Sequence, residues 1–127
     1  MTAFQIPEIS TEDLRSEALL VPPEAVKLRL VGTAESSTMA ALSGLLTGLH
    51  AEAVSHHVRE VTVDLRDLEF MNSSCFKAFV SWVGRIEDLD TEQQYRIRFL
   101  SDPKKHWQER SLGALACFAT HLIRIES

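Results

Sequence analysis

Apolar and polar residues alternate at three places along the chain. In AVKLRLVG, residues 25–32, Val26, Leu28 and Leu30 fall on one side, and Lys27 and Arg29 on the other. In REVTVDL, residues 59–65, Val61, Val63 and Leu65 alternate with Thr62 and Asp64, and Val58 extends the run. In YRIRFLS, residues 95–101, Tyr95, Ile97 and Phe99 alternate with Arg96 and Arg98. A period of two is that of a half-buried strand. The β-branched density of the second segment suits a central strand. Two weaker runs join these. SEALLVPP, 16–23, reads as a short strand ended by Pro22-Pro23, because proline supplies no ladder donor. HLIRIE, 121–126, reads as a closing strand.

Between the strands the period changes. Met39, Leu42, Leu45, Leu46, Leu49 and Ala53 recur at helical spacing and predict a helix over 39–55. A polar turn, 33–37, precedes it, and Ser37 or Thr38 can cap it. Ala40, Gly44, Gly48 and Ala51 form a second, small-residue surface. Each glycine costs about 1 kcal/mol relative to alanine. Close approach of another backbone is one reason to keep them; a marginal helix that tolerates them is the other. RDLEF, 66–70, reads as a crossing segment. A second helix spans Ser73 to Leu89, with Phe76, Phe79, Val80, Val83 and Ile86 on one face and Lys77, Ser81, Arg85 and Asp88 opposite. Asp102-Pro103 opens a third helix from about 103, which Gly113 ends or kinks. Trp82 and Trp107 read as partial core or as anchors for a partner. The order β, β, α, β, α, β, α, β predicts an α/β fold. Its mixed sheet has parallel pairs, right-handed crossovers and helices packed mainly on one face. The opening strands pair as a hairpin through Pro22-Pro23. Residues 1–15 form an N-terminal tail or arm, and residues 16–127 a single domain.

Composition narrows the picture. The 127 residues suit one domain, and 45% apolar with 24% charged residues predicts an ordinary core. A net charge of −5 argues against a nucleic-acid-binding domain and gives no attraction to anionic lipid. Cys75 and Cys117 stand without CxxC or paired Cys/His spacing, so zinc is not indicated and a reducing compartment is expected. The opening MTAFQIPEISTEDL lacks a signal-peptide pattern, and no apolar run approaches the roughly 20 residues of a membrane span. A cytoplasmic protein is expected, with no nucleic-acid or membrane partner.

Candidate chemistry centres on MNSSCF, 71–76, between a strand and a strong helix. That places it at the carboxyl edge of the sheet, where α/β folds put function. Asn72 or Ser73 can be the N-cap, a contribution of about 1 kcal/mol. The first N–H groups of a helix lack intrahelical partners and the dipole there is positive, so a phosphate on Ser73 or Ser74 is favoured. Serine catalysis finds no support: the segment is not GxSxG, and His50, His56, His57, His106 and His121 follow no triad order. Cys75 reads as a packed thiol beside Phe79, or as a thiol whose pKa the helix start lowers. His56-His57 reads as a solvated helix end rather than a metal site. No enzyme activity, metal or cofactor is expected. A small-ligand binder has no phosphate-cradling glycine loop to support it.

VTVDLRDLEFMNSSCFKAFVSWV resembles the signature of STAS domains, the bacterial anti-sigma-factor antagonists: a strand, Asp-Leu, an apolar residue, then Asp-Ser-Ser/Thr-Gly opening a helix. AVKLRLVGTAE is similar to the strand of that family that leads into a glycine-containing turn. Here Asn72 stands for the acid and Cys75 for the glycine. The resemblance implies a STAS-like fold over residues 16–125 and a signalling module without enzyme activity. It implies phosphorylation of Ser73, with Ser74 second, by a partner serine kinase that also acts as the anti-sigma factor, and reversal by a phosphatase. Asn72, Ser73, Ser74 and Lys77 are also similar to the SiaC-type branch of STAS-like proteins, whose partner is a diguanylate cyclase. The implied partner surface comprises Asn72, Ser73, Ser74, Cys75 and Lys77, with the 33–37 turn and the first-helix region. Lys77, one turn on, either pairs with a phosphate on Ser73 or is a solvated lysine. The alternative function is a constitutive scaffold or oligomerisation module with an inactive phosphosite.

Overall fold

The computed structural model describes residues 6–21 and 25–127. The expected turn at Pro22-Pro23 lies outside them. Six strands and three helices follow the chain: β1 (Leu14–Val21), β2 (Ala25–Ala34), α1 (Met39–Ser55), β3 (Glu60–Asp64), β4 (Leu68–Met71), α2 (Ser73–Glu87), β5 (Arg96–Leu100), α3 (His106–Phe118) and β6 (Ile123–Glu126). A 3-10 turn at Ser36–Thr38 leads into α1. The sheet order is β1-β2-β3-β5-β6, and β4 also pairs with β2. β1 runs antiparallel to β2, and every other pair is parallel. This is the mixed α/β sheet that the alternation predicts.

The period of two explains the two faces. Val26, Leu28, Leu30, Val61, Val63, Ile97 and Phe99 are buried and share one core with the inner residues of all three helices. Lys27, Arg29, Arg96, Arg98 and Arg124 lie on the other stripe of their strands and are not buried. The helices therefore cover one face and leave a charged one.

Several boundaries differ from the sequence reading. β1 begins at Leu14, and the segment before it folds back: Ile9 is buried and its N–H donates to Ser16 Oγ at 2.8 Å. Pro7 lies against Gly48 of α1, in the space a side chain would occupy, so a close approach explains that glycine. Gly44 has open space around it, so the close-approach reading fails there. β2 continues to Ala34, and the polar turn starts later than residue 33. The segment 66–70 is not merely a crossing, because it contains β4. This four-residue strand escapes the pattern because its middle residues, Glu69 and Phe70, are both exposed. β2 is long enough to serve β3 over Ala25–Arg29 and β4 over Gly32–Ala34, with a register shift between Gly32 and Thr33. Gly32 takes φ 113° there, a conformation that L side chains rarely adopt. α3 starts at His106 and runs through Gly113 without ending.

The inner face of α2 is also rotated from expectation. Trp82 is fully buried, while Phe76 and Val80 are half-buried. Met39, expected on the inner stripe of α1, is exposed. Trp82 Nε1 donates to the Tyr95 hydroxyl at 2.8 Å, and that hydroxyl lies 2.7 Å from His50 Nδ1. The Tyr95 hydroxyl thus lies between the Trp82 indole donor and His50 Nδ1. Burial, aided by the Arg85 charge, lowers the His50 pKa, and burial raises that of Tyr95. The indole that sequence reading offered as a partner anchor is instead an interior donor. Trp107 is half-buried.

Candidate functional site

A single residue, Asn72, joins β4 to α2. Its backbone N–H donates to Ala34 O at 2.8 Å, so the turn is pinned to the end of β2. Its φ of −78° and ψ of 171° are those of an N-cap, and its Oδ1 accepts from Cys75 N at 2.9 Å. Asn72, not Ser73, is thus the cap. Once Oδ1 accepts, Nδ2 faces the other way and donates to Ser36 Oγ at 2.7 Å. An aspartate here would accept the first bond equally well, but it would need the Ser36 hydroxyl as donor for the second.

Cys75 occupies the next inward position. It is fully buried, and its thiol donates to Glu35 O at 3.4 Å and lies 4.0 Å from Thr38 Oγ1. Burial pushes its pKa up, against a smaller opposing effect of Thr38. The reading of a thiol activated by the helix start therefore does not hold. Its side chain has no exposed surface, so it can shape a partner surface only through the turn it holds. Thr38 Oγ1 donates back to Glu35 O at 2.8 Å. The 3-10 turn and the first turn of α2 are in this way bolted together.

Ser73 and Ser74 take the first two helical positions; Ser73 is exposed and Ser74 half-buried. Among the described residues their N–H groups have no hydrogen-bond acceptor. Lys77 is exposed, one turn beyond Ser73. Two exposed apolar side chains stand at the same end of the molecule. Met39 follows Thr38 directly and is 39% exposed, and Phe70 precedes Asn72 by two residues and is 46% exposed. The surface therefore combines hydroxyl groups and apolar side chains with the exposed charges of Lys77, Glu35 and Glu69.

The turn between β3 and β4 is fixed from below. Arg66 donates to the buried Asp64 carboxylate through Nε at 2.9 Å and Nη2 at 2.8 Å. These bonds hold the Asp64 pKa below the ordinary aspartate value. Gln108 of α3 is buried; its Nε2 donates to Leu65 O at 2.6 Å and Leu68 O at 3.0 Å. Its Oε1 accepts from Asp102 N at 2.8 Å. Every Gln108 polar group facing the turn is matched, so the segment that delivers MNSSCF is rigid.

No family model matches the sequence, and no curated protein matches it. Solved structures do. An anti-sigma factor antagonist from Mycobacterium paratuberculosis superposes with TM-score 0.63 at 15% identity, covering 91% of this chain and 90% of that one. The chain has the STAS fold. The anti-sigma factor antagonist SpoIIAA, in its unphosphorylated form, matches with TM-score 0.55 at 16% identity, covering 88% of each chain. The STAS arrangement brings Asn72, Ser73 and Ser74 beside Ser36 and the start of α1. The 33–37 turn and the first-helix region are expected on this surface from the sequence, but the bonds of Ser36 to Asn72 and of Glu35 and Thr38 to Cys75 are not. These residues lie 36 to 40 residues from their partners, and nothing in the pattern of one chain pairs them. Among the described residues no His, Cys, Asp and Glu group could hold a metal ion, and no helix is long and apolar enough to cross a membrane.

Proposed function

We propose that this chain is a non-enzymatic, partner-binding module of the STAS type whose contact surface is switched by phosphorylation of Ser73. One observation carries the reading. Ser73 is an exposed hydroxyl on the first helical residue, beside two backbone N–H groups without acceptors among the described residues, at the end of the molecule where Met39 and Phe70 are exposed. A surface with exposed apolar side chains suits a protein partner. A phosphate there adds about two negative charges, which the helix start stabilises within the chain and which a surface fitted to the neutral form repels. Ser74, less exposed, is the second acceptor. Lys77 is placed one turn on to pair with the added charge.

The likeness in fold to two anti-sigma factor antagonists supports a protein partner. A serine kinase that is itself the binding partner fits this scheme, with a diguanylate cyclase as the alternative partner, a phosphatase for reversal, and the cytoplasm as the compartment. Co-purification from native cells with tagged chain tests it. Wild type and Ser73→Ala retain a common partner, and Ser73→Asp loses it by about tenfold or more. Equal recovery by all three chains defeats the proposal and leaves a constitutive scaffold.

A further inference from the structure

The opposite end of the sheet carries a second site, independent of the serine switch. A cavity of about 610 Å3 opens where β3 and β5 begin and where the chain enters β6. Arg59, Arg96 and His121 line it together with the polar Thr91 and Gln94, and Glu60 is the one carboxylate among its described lining residues. A cavity of about 280 Å3 adjoins it, sharing Arg96, His121 and Glu60 and adding Arg98 and Arg124. A cluster of guanidinium groups in a chain of net charge −5 calls for an explanation.

The sheet register shows where the charge is uncompensated. Arg96 stands opposite Glu60 in the pairing of β3 with β5. Glu60, however, is drawn to the next lane: it lies 3.9 Å from Arg98 and 4.0 Å from Arg124. Arg98 and Arg124 are themselves register partners, and Glu126 bridges them at 3.7 and 2.8 Å. The two inner arginines are therefore neutralised in place. The Arg96 guanidinium has no hydrogen bond or ion pair among the described residues, and His121 is exposed beside it. The Arg59 guanidinium donates to Glu92 O at 3.5 Å.

We propose that this cavity binds a small phosphorylated molecule, its phosphate held by Arg96 and His121 with Arg59 at the rim. Guanidinium forks match phosphate oxygens in geometry and charge. The acidic remainder of the chain disfavours a long polyanion such as nucleic acid, so the ligand is one that fits the cavity.

The test is calorimetric titration of the full chain with inorganic pyrophosphate at low salt. The expected result is saturable 1:1 binding, weakened about tenfold or more by Arg96→Ala. Glu60→Gln, which removes the lining carboxylate, tightens binding. In wild-type protein, amide shift changes centre on residues 91–96 and 120–122, which needs no variant. Absence of saturable binding overturns the proposal. So does an Arg96→Ala chain that binds like wild type, a Glu60→Gln chain that does not bind more tightly, or shift changes centred on Ser73.

Discussion

The two ends of the sheet are built on opposite principles. At the end that carries Asn72, polar groups satisfy one another: Asn72 with Cys75 and Ser36, Asp64 with Arg66, Gln108 with three backbone groups. What remains outside includes the exposed Ser73 hydroxyl, on a turn whose inner polar groups are matched. At the end that carries Arg96, the interior is held by packing, Trp82 on Tyr95 and Phe79, and the Arg96 guanidinium has no partner among the described residues. The first arrangement suits a surface whose charge is set by modification. The second suits a surface whose charge is met by a ligand.

The contrast can be broken most sharply in the interior of the second end. Trp82→Ala should destabilise the fold by about 3–5 kcal/mol, since it removes the largest fully buried side chain among the described residues and the donor to Tyr95. Denaturant melts measure this, and a loss under about 1 kcal/mol contradicts the claim that packing holds this end. At the first end, Gln108→Ala strands the Leu65 and Leu68 carbonyls and the Asp102 N–H, a loss of about 2–3 kcal/mol in the same assay. Asn72→Ala removes a cap and the Ser36 bond, about 1–2 kcal/mol. Asn72→Asp keeps the cap and should stay within about 0.5 kcal/mol of wild type, provided Ser36 turns its hydroxyl to donate. An aspartate variant as unstable as the alanine one shows that the amide donor matters.

The smallest effect is on pH. His50 has a folded-state pKa below its unfolded value near 6.5, so the unfolded chain binds the extra proton first. Its contribution is complete above about pH 6.5 and is lost as the solution becomes more acidic. In the protonated ring both nitrogens are donors, and Nδ1 then faces an oxygen that already accepts from Trp82. The difference in stability between wild type and His50→Gln should therefore shrink as pH falls below about 6.5. A constant difference removes His50 from the account. Asp64 acts lower on the scale in the same direction: its depressed pKa gives stability above the ordinary aspartate range that is lost in acid.

Much of this fold is written in periodicity. The alternation in residues 25–32, 59–65 and 95–101 and the apolar stripes of α1 and α2 locate the sheet and the helices without reference to any partner. β4 is not legible, because a four-residue strand with two exposed central residues has no period to detect. The inner face of α2 differs by part of a turn from the sequence reading: Trp82, read as partial core or a partner anchor, is fully buried, because Tyr95 receives its indole N–H. For the site, a cap and a free hydroxyl at 72–74 follow from residue type and position. The Asn72 bond to Ser36 and the buried place of Cys75 do not, since they depend on Ser36, Glu35 and Thr38 across the sheet edge. Arg96 is likewise only an outward strand residue until the register shows that Glu60 has gone to its neighbours.

Site-resolved mass spectrometry of the chain isolated from its native cells, across growth states, tests the switch most directly. The account predicts a phosphate on Ser73 in a fraction of molecules that changes with growth state. A Ser73 hydroxyl unmodified in every state contradicts it.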